Sequence, residues 1–223
     1  MATTSNTVSA TSRPAAVTWV GLCIALFALP VIRQLFRSIN PTPGTGLLTA
    51  RELLMFASGA ALLLLVKRRE KLPLSSVGLG TSAWWKSVLW GLGTAVLCGA
   101  VAMILAKLTG YGHGGAPATF DRSPLWLVTL ITLRAGIVEE LFYRGYPIER
   151  LQAMGLSKLA SAAIPLIIFA VGHYTGGLAN ILIALVMGGI LSGLYLWRRD
   201  LVACIFAHAL VDFVANVLSR LGS

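Results

Sequence analysis

Charged residues are scarce in this sequence. They make up 12% of its 223 residues, and Asp and Glu together number 8. Soluble domains carry about 25% charged residues, so the composition excludes an ordinary soluble globular domain. The hydrophobic fraction is 57%. Several apolar stretches approach the roughly 20 residues that a helix needs to cross a bilayer, which predicts an all-α fold, a polytopic membrane bundle of about seven to eight transmembrane helices.

Cysteine is also scarce. The 3 cysteines, Cys23, Cys98 and Cys204, each stand alone inside an apolar stretch, with no CxxC motif and no Cys/His pair. This pattern excludes a disulfide framework and a zinc finger. We expect free thiols buried in the membrane.

Basic residues exceed acidic ones, 18 Lys and Arg against 8 Asp and Glu, for a net charge of +10. They cluster at the ends of apolar runs, most densely in KRREK at 67 to 71. Such clusters are typical of membrane topology rather than of a surface that binds a nucleic-acid groove. The expected partner is therefore the lipid bilayer, and no nucleic acid is expected.

The chain divides into a tail and one membrane domain. Residues 1–16 are polar and lack acids, which predicts a disordered N-terminal tail before a single transmembrane domain over 17–223. One Arg precedes the first apolar run and no small-residue cleavage site follows it, so an uncleaved span is favoured over a signal peptide. The 107–123 connection leaves room for one short extra helix. The predicted spans are 17–32, 47–66, 84–106, one that starts near Pro124, 156–174, 178–197 and 201–218.

The basic residues divide unequally between the two ends of these spans. The end that holds the N-terminus takes eleven: Arg13, Lys67, Arg68, Arg69, Lys71, Lys86, Arg144, Arg150, Lys158, Arg198 and Arg199. The other end takes six: Arg33, Arg37, Arg51, Lys107, Arg122 and Arg220. Because Lys and Arg are retained on the cytosolic side, this division predicts a multi-pass protein of the cell membrane with a cytosolic N-terminus.

Ionisable residues occur inside three of the apolar spans, all in the second half of the chain. They are Glu139, Glu140 and Arg144, then His173, then His208 and Asp212. An ionisable group deep in a membrane helix costs roughly 2.5–3.5 kcal/mol on insertion scales, so it persists where it faces a bundle interior or a water-filled cavity. We therefore expect the three spans to turn these side chains into one wet pocket.

Four-residue spacing indicates which of these groups pair. Glu140 and Arg144 lie on one helix face and can form an ion pair. Glu139 is turned by about 100° from Glu140, so it faces another partner. This predicts one fixed acid and one acid that is free to exchange a proton. Arg51 and Glu52, at the start of the second span, are interpreted as interfacial.

The path of the fourth helix decides whether the acids reach His173. If the helix continues past Pro147 to a C-terminal cap at Gly155, the returning helix places His173 at the height of Glu139. If it stops at Gly145, the two lie far apart. A carboxylate and a histidine in a partly dry cavity can activate water. No serine elbow or Cys–His pattern is present, which favours a water-based hydrolase over a covalent one.

Three short motifs resemble those of one family. EELFYR fits EExxxR, FAVGH fits FxxxH and HALVD fits HxxxN/D. In this order they resemble the CPBP family of intramembrane glutamic-type endopeptidases, which includes CAAX prenyl endopeptidases and bacteriocin-processing or immunity-type proteins, also called Abi. The resemblance covers about residues 120–218. This segment contains all three motifs and is the predicted catalytic core of the single transmembrane domain.

The resemblance implies a role for each motif residue. Glu139 would activate water together with His173, Glu140 would pair with Arg144, and His208 with the residue four positions later would stabilise the oxyanion. That residue is Asp212, where better-studied CAAX enzymes have asparagine, and an ionised carboxylate cannot donate a hydrogen bond. Asp212 would instead orient His208 or bind a metal. No cofactor is expected; the alternative is zinc, with Glu139, His173, His208 and Asp212 as candidate ligands, although their spacing does not match HExxH.

The leading hypothesis is therefore an intramembrane endopeptidase that cleaves a protein or peptide substrate in a cavity near the cytosolic side. A catalytically silent immunity or binding protein of the same fold is the first alternative. A proton-coupled transporter is the second, because buried Glu and His also form proton relays. The absence of an internal repeat in the sequence counts against a transporter built from duplicated halves.

Overall fold

The computed structural model describes residues 16–80, 83–111 and 123–221. These residues form helices and connecting segments with no β-strand, which confirms the all-α fold. The α-helices are α1 Ala16–Ile39, α2 Thr45–Arg68, α3 Trp84–Thr109, α4 Leu125–Arg134, α5 Tyr146–Ala153, α6 Lys158–Val171, α7 Gly177–Arg198, α8 Leu201–Phe213 and α9 Ser219–Leu221. The π-helical segments are Ala135–Glu139, Leu141–Gly145 and Val214–Leu218, and the 3₁₀ turns are Leu74–Val77 and Tyr174–Gly176.

Five helical segments of the described chain are long and apolar enough to cross a membrane: Ala16–Ile39, Thr45–Arg68, Trp84–Thr109, Tyr174–Arg198 and Leu201–Leu221. Large apolar side chains such as Trp84, Val96 and Leu159 are 67–77% exposed, as expected of a surface that faces lipid. The chain is thus a multi-pass membrane bundle. The predicted fourth and fifth spans are not among these five. The fourth is divided into α4, two π-helical segments and α5. The fifth, α6, has 14 residues and ends at Val171, short of a full crossing.

Two predictions concern residues that the structure does not describe. The N-terminal tail falls outside the described residues except for Ala16, which begins α1. The extra helix allowed for in 107–123 falls largely in 112–122, which are also outside the described residues. The single-domain division of the chain stays a prediction.

The fourth predicted span is a continuous helical path from α4 through two π-helical segments into α5. The residues at the junctions, Ala135, Glu140 and Tyr146, all have right-handed helical backbone angles. Pro147 lies in the first turn of α5, directly after the second π-helical segment. The path therefore does not stop at Gly145, and α6 returns beside it.

The turn after α5 reverses the chain by a glycine cap. Gly155 has a φ of +93°, a left-handed conformation that glycine adopts at no steric cost. The Leu156 N–H donates to the Leu151 carbonyl at 3.1 Å, which closes the last turn of α5. The C-terminal cap that the sequence predicted at Gly155 is therefore confirmed.

Close helix packing places α8 beside α3 and beside the π-helical part of the fourth span. A Cβ atom at Gly91 of α3 would lie 2.9 Å from the Ala203 carbonyl oxygen, and one at Gly136 would lie 2.6 Å from the Ala209 Cβ. Small residues allow such close approach in membranes, where packing replaces the hydrophobic effect. The approach at Gly136 brings His208 to the height of the acid pair.

A polar cluster near the N-terminus of α1 connects the segment after α2 to α5. Glu70 accepts hydrogen bonds from Arg150 at 2.7 Å and from the Tyr146 hydroxyl at 2.7 Å. The Arg150 side chain is 7% exposed and that of Glu70 is 4% exposed. Arg150, which the charge distribution assigned to the membrane surface, is thus part of the folded interior.

Candidate active site

A cavity of about 1020 Å³ lies inside the bundle. Its wall includes the ionisable side chains Arg33, Arg134, Glu139, His173, His208 and Asp212. At one end it is bordered by Arg37, Pro41 and Lys107, which belong to the C-terminal end of α1, the α1–α2 connection and the C-terminal end of α3. The structure thus brings four of the predicted site residues, Glu139, His173, His208 and Asp212, to one cavity. Glu140 and Arg144 do not line the cavity.

Glu140 and Arg144 form a fully buried ion pair behind the cavity wall. Arg144 Nη1 donates to Glu140 Oε1 at 2.8 Å, and both side chains are 0% exposed. The other terminal nitrogen, Nη2, donates to the Gly188 carbonyl at 3.2 Å. Glycine is needed at 188, because a Cβ there would lie 2.7 Å from Arg144 Nη2. The pair therefore links the fourth span to α7.

Glu139 is held by two arginines. Arg33 Nη2 lies 2.6 Å and Arg134 Nη1 lies 2.5 Å from the same oxygen, Glu139 Oε1. The prediction described Glu139 as the acid free to exchange a proton, whereas the structure places two permanent cations on it. No hydrogen bond in the described part of the chain uses Oε2, which leaves that oxygen for a ligand or water in the cavity.

The clamp on Glu139 continues to α2. Arg134 Nε donates to Glu52 Oε2 at 2.6 Å, and Arg51 lies 2.7 Å from Glu52 Oε1. Glu52 is 0% exposed, so its interpretation as an interfacial residue was wrong. The physical reason is its partner, since a carboxylate is tolerated inside the bundle when it neutralises a buried guanidinium. The alternating charges of Arg51, Glu52, Arg134, Glu139 and Arg33 form one network across α1, α2 and the fourth span.

His173 follows the C-terminal end of α6 and has a fixed tautomer. Its Nδ1 lies 2.8 Å from the Phe169 carbonyl oxygen, which can only accept, so Nδ1 carries the hydrogen. In the neutral ring, Nε2 is then the acceptor. The His173 carbonyl accepts from Asn180 Nδ2 at 3.1 Å, which holds the turn against α7. The site therefore contains one imidazole nitrogen able to accept a proton.

His208 lies between two carboxylates. Its Nδ1 is 2.6 Å from Glu140 Oε1, and its Nε2 is 3.6 Å from Asp212 Oδ2. The first contact is a hydrogen bond donated to a carboxylate, and the second is an ion-pair distance. His208 thus connects the buried pair to the cavity, where the Asp212 side chain is 31% exposed.

Phe169 packs among the polar groups of the site. Its ring centroid lies 4.5 Å from the Arg144 guanidinium carbon, 4.7 Å from the His173 ring and 6.3 Å from the His208 ring. The ring therefore supplies a cation–π contact and fixes the orientation of both histidines. This packing explains why a phenylalanine precedes His173 by four residues.

The arrangement does not fit a metal ion. Among residues 16–80, 83–111 and 123–221, no group of three or more His, Cys, Asp or Glu side chains is placed to bind one. Two guanidinium groups on Glu139 would also repel a dication. We therefore derive no step through zinc.

The matched part of the chain contains all three motifs. Residues 121–214 match a family model described as type II CAAX prenyl endopeptidase Rce1-like. The match confirms the CPBP family resemblance. No curated protein and no solved structure matches the chain. The Rce1-like segment contains α4 to α8, whereas Arg33 and Glu52 come from α1 and α2, outside it.

Sequence reasoning missed Arg33, Glu52 and Arg134 as site residues. Arg134 offered a signal, because it is an ionisable residue within an apolar span, five residues before Glu139. Arg33 and Glu52 offered little signal, since each lies near a helix end, where interfacial charges are common. Their contacts with the Rce1-like segment exist only through tertiary packing.

Proposed function

We propose that this chain is an intramembrane endopeptidase that hydrolyses a peptide bond of a membrane-associated protein or peptide, with water activated by Glu139 as the nucleophile. The observation that carries the proposal is the shared cavity, which holds the open Oε2 of Glu139 and the proton-accepting face of His173. The Rce1-like match supports the same class of activity. The bilayer and a polypeptide are the partners at this level.

The proposed reaction has two steps. In the first, a water molecule on Glu139 Oε2 loses a proton to the carboxylate or to His173 Nε2 while its oxygen bonds to the peptide carbonyl carbon, and the carbonyl oxygen becomes negative. In the second, the C–N bond breaks and the proton passes to the leaving amine. The products are one new carboxyl group and one new amino group, and Glu139 is regenerated.

The remaining motif residues would position these groups. Arg144 and His208 hold Glu140, and Glu140 in turn fixes the His208 ring, so each side chain has one orientation. Phe169 holds both histidines from the side. A fixed arrangement lowers the barrier because the reacting groups need not be ordered when substrate binds.

One observation favours the silent binding or immunity protein. Two guanidinium groups on Glu139 stabilise its ionised form and make it a weaker base than a carboxylate with a single cation beside it. The two functions differ in one measurable property, because a silent protein would bind peptide without cleaving it.

The test compares the wild type with Glu139→Gln, which keeps the side-chain size and removes the base. Both are reconstituted in phospholipid nanodiscs and mixed with a library of quenched fluorescent peptides. We expect wild-type cleavage and a loss of about 10²–10⁴-fold in the variant, the contribution of a positioned general base. Thermal unfolding of both proteins controls for misfolding. Equal cleavage rates, or no cleavage by a wild type that retains the peptides, would refute the endopeptidase proposal.

A further inference from the structure

We propose that Arg33 is a catalytic residue of this chain, donating hydrogen bonds to the peptide carbonyl oxygen as it becomes negative during attack by water. The inference rests on the proposed endopeptidase function. It begins from a requirement of that reaction: a carbonyl oxygen beside Glu139 needs a hydrogen-bond donor, because developing charge in a water-excluded site must be stabilised by the protein.

The histidines meet this requirement at one nitrogen at most. His208 donates through Nδ1 to Glu140, and its Nε2 lies 3.6 Å from Asp212, an ion-pair distance that leaves this nitrogen as one possible donor. His173 donates through Nδ1 to the Phe169 carbonyl, which leaves Nε2 without a hydrogen in the neutral ring. The Asp212 carboxylate, when ionised, accepts only.

Three side-chain amides line the cavity, those of Gln34, Asn180 and Asn216. Asn180 Nδ2 donates to the His173 carbonyl at 3.1 Å, and Asn216 Nδ2 donates to the Asp212 carbonyl at 2.9 Å. None of the three makes a hydrogen bond to Glu139 in the described part of the chain. Arg134 does contact Glu139, but its side chain is 4% exposed and its Nε and Nη1 are both engaged.

Arg33 combines contact with the proposed base and unused donors. Its Nη2 lies 2.6 Å from Glu139 Oε1, which fixes the guanidinium beside the carboxylate. In the described part of the chain, no hydrogen bond uses its Nε or Nη1. The side chain is 34% exposed and lines the cavity. A guanidinium carries five N–H donors and keeps its charge at all working pH values, so Arg33 can hold Glu139 and a substrate oxygen at once.

The proposal also accounts for Asp212. A carboxylate at this position provides no donor for a substrate oxygen, yet it can complete the charge around His208. With Arg33 as the donor, the cavity retains a means of stabilising the oxyanion although position 212 has none. The change Asp212→Asn would then introduce a second donor into the same cavity.

Arg33 can be replaced without leaving Glu139 unpaired, because Arg134 remains on the same carboxylate oxygen. This makes Arg33→Met a usable variant that removes all donors, and Arg33→Lys a conservative variant that keeps the charge. Arg37 lies one helical turn further along α1 and donates to the Tyr174 hydroxyl rather than to Glu139. Arg37→Met is therefore the matched comparison.

The test measures kcat and KM for the peptide selected from the fluorescent library by the wild type in nanodiscs. We expect Arg33→Met to lower kcat by about 10²–10³-fold, the usual effect of removing one oxyanion donor, with KM changed far less. Arg33→Lys should recover part of the loss, and Arg37→Met should lose at least tenfold less. Adding Asp212→Asn to Arg33→Met should raise kcat, which a merely structural role of Arg33 would not predict.

The outcomes separate this inference from the proposed function. Cleavage that survives Glu139→Gln refutes the endopeptidase proposal. Loss of cleavage in Glu139→Gln, together with a kcat for Arg33→Met that equals that of Arg37→Met, overturns the assignment of Arg33 alone. A loss in Arg33→Met that Asp212→Asn does not relieve also overturns it. If Arg33→Met unfolds at a lower temperature than the wild type, Arg33→Lys with and without Asp212→Asn carries the same comparison.

Discussion

Arg144 and Glu140 form an ion pair from which solvent is excluded, with 2.8 Å between Arg144 Nη1 and Glu140 Oε1 and no exposed surface on either side chain. A buried pair gains stability when its remaining donors and acceptors find partners. Here the Gly188 carbonyl and the His208 ring supply two of them, while Arg144 Nε and Glu140 Oε2 have no hydrogen-bond partner in the described part of the chain. The pair therefore joins the fourth span, α7 and α8 at one point, directly behind the proposed base.

Removing Arg144 should destabilise the fold strongly. Arg144→Met leaves Glu140 buried with His208 as its remaining partner, and breaking a buried pair costs about 3–5 kcal/mol. We expect a clear drop in the midpoint of thermal unfolding in detergent. The matched control is Arg199→Met, which breaks the Glu149 pair in which the Arg199 side chain is 46% exposed. Such a pair contributes about 0–1 kcal/mol, so similar losses in both variants would contradict the prediction.

Two glycines on α3 should respond oppositely to alanine. A Cβ at Gly91 would lie 2.9 Å from the Ala203 carbonyl, so Gly91→Ala forces α3 and α8 apart, at a cost of about 1–3 kcal/mol. Gly93 has nothing within 4 Å of the same position. Gly93→Ala should therefore leave stability unchanged or raise it by up to about 1 kcal/mol, the difference in helix propensity. Unfolding midpoints measure both, and equal effects would show that α3 does not approach α8 as described.

The sequence predicted the fold class and the convergence of its ionisable residues for a physical reason. In an apolar span, each ionisable side chain must find a polar environment, so Glu139, His173 and His208 by themselves indicate an interior site. The same rule failed for Glu52, because a charged side chain near a helix end can be accommodated in two ways, at the membrane interface or beside a buried partner of opposite charge. Glu52 is buried because it contacts Arg134, and sequence spacing does not show that Glu52 and Arg134 meet.

The height of His173 depended on one local feature. Pro147 left open whether the fourth helix ends before it, and the π-helical segments on either side of Glu140 resolve this by keeping the backbone helical into α5. π-helical segments have no simple sequence signature, and they recur at functional sites. Their presence beside both acids also sets the direction of Glu139 in a way that an ideal helix does not.

Chelation should leave peptide cleavage unchanged. The described residues hold no ligand cluster for a metal, and Glu139 Oε1 already faces two cations. Wild-type protein treated with o-phenanthroline or EDTA, then returned to buffer, should retain its kcat. A loss on chelation that added Zn²⁺ restores would contradict this prediction and return zinc to the mechanism.

The cavity and the N-terminus of α1 lie at opposite ends of the bundle, so a cytosolic N-terminus and a cavity that opens near the cytosolic side exclude each other. The distribution of exposed basic residues favours a cytosolic N-terminus. At the end where α1 begins they are Lys67, Arg68, Arg69, Lys71, Lys86, Lys158, Arg198 and Arg199. At the cavity end, the exposed basic residues of the described chain are Arg37 and Lys107. The positive-inside rule then predicts that the cavity opens on the extracytoplasmic face.

Cysteine labelling can decide this orientation. In a Cys23→Ser background, with Cys98 and Cys204 buried, single variants Lys107→Cys and Arg69→Cys mark the two ends. A membrane-impermeant maleimide added to intact spheroplasts of the expression host should label Lys107→Cys, and should label Arg69→Cys only after the membrane is opened. The substrate would then be a polypeptide segment presented from outside the cytosol. The opposite labelling pattern would place the cavity mouth in the cytosol and show that the basic cluster at the end of α2 does not determine orientation.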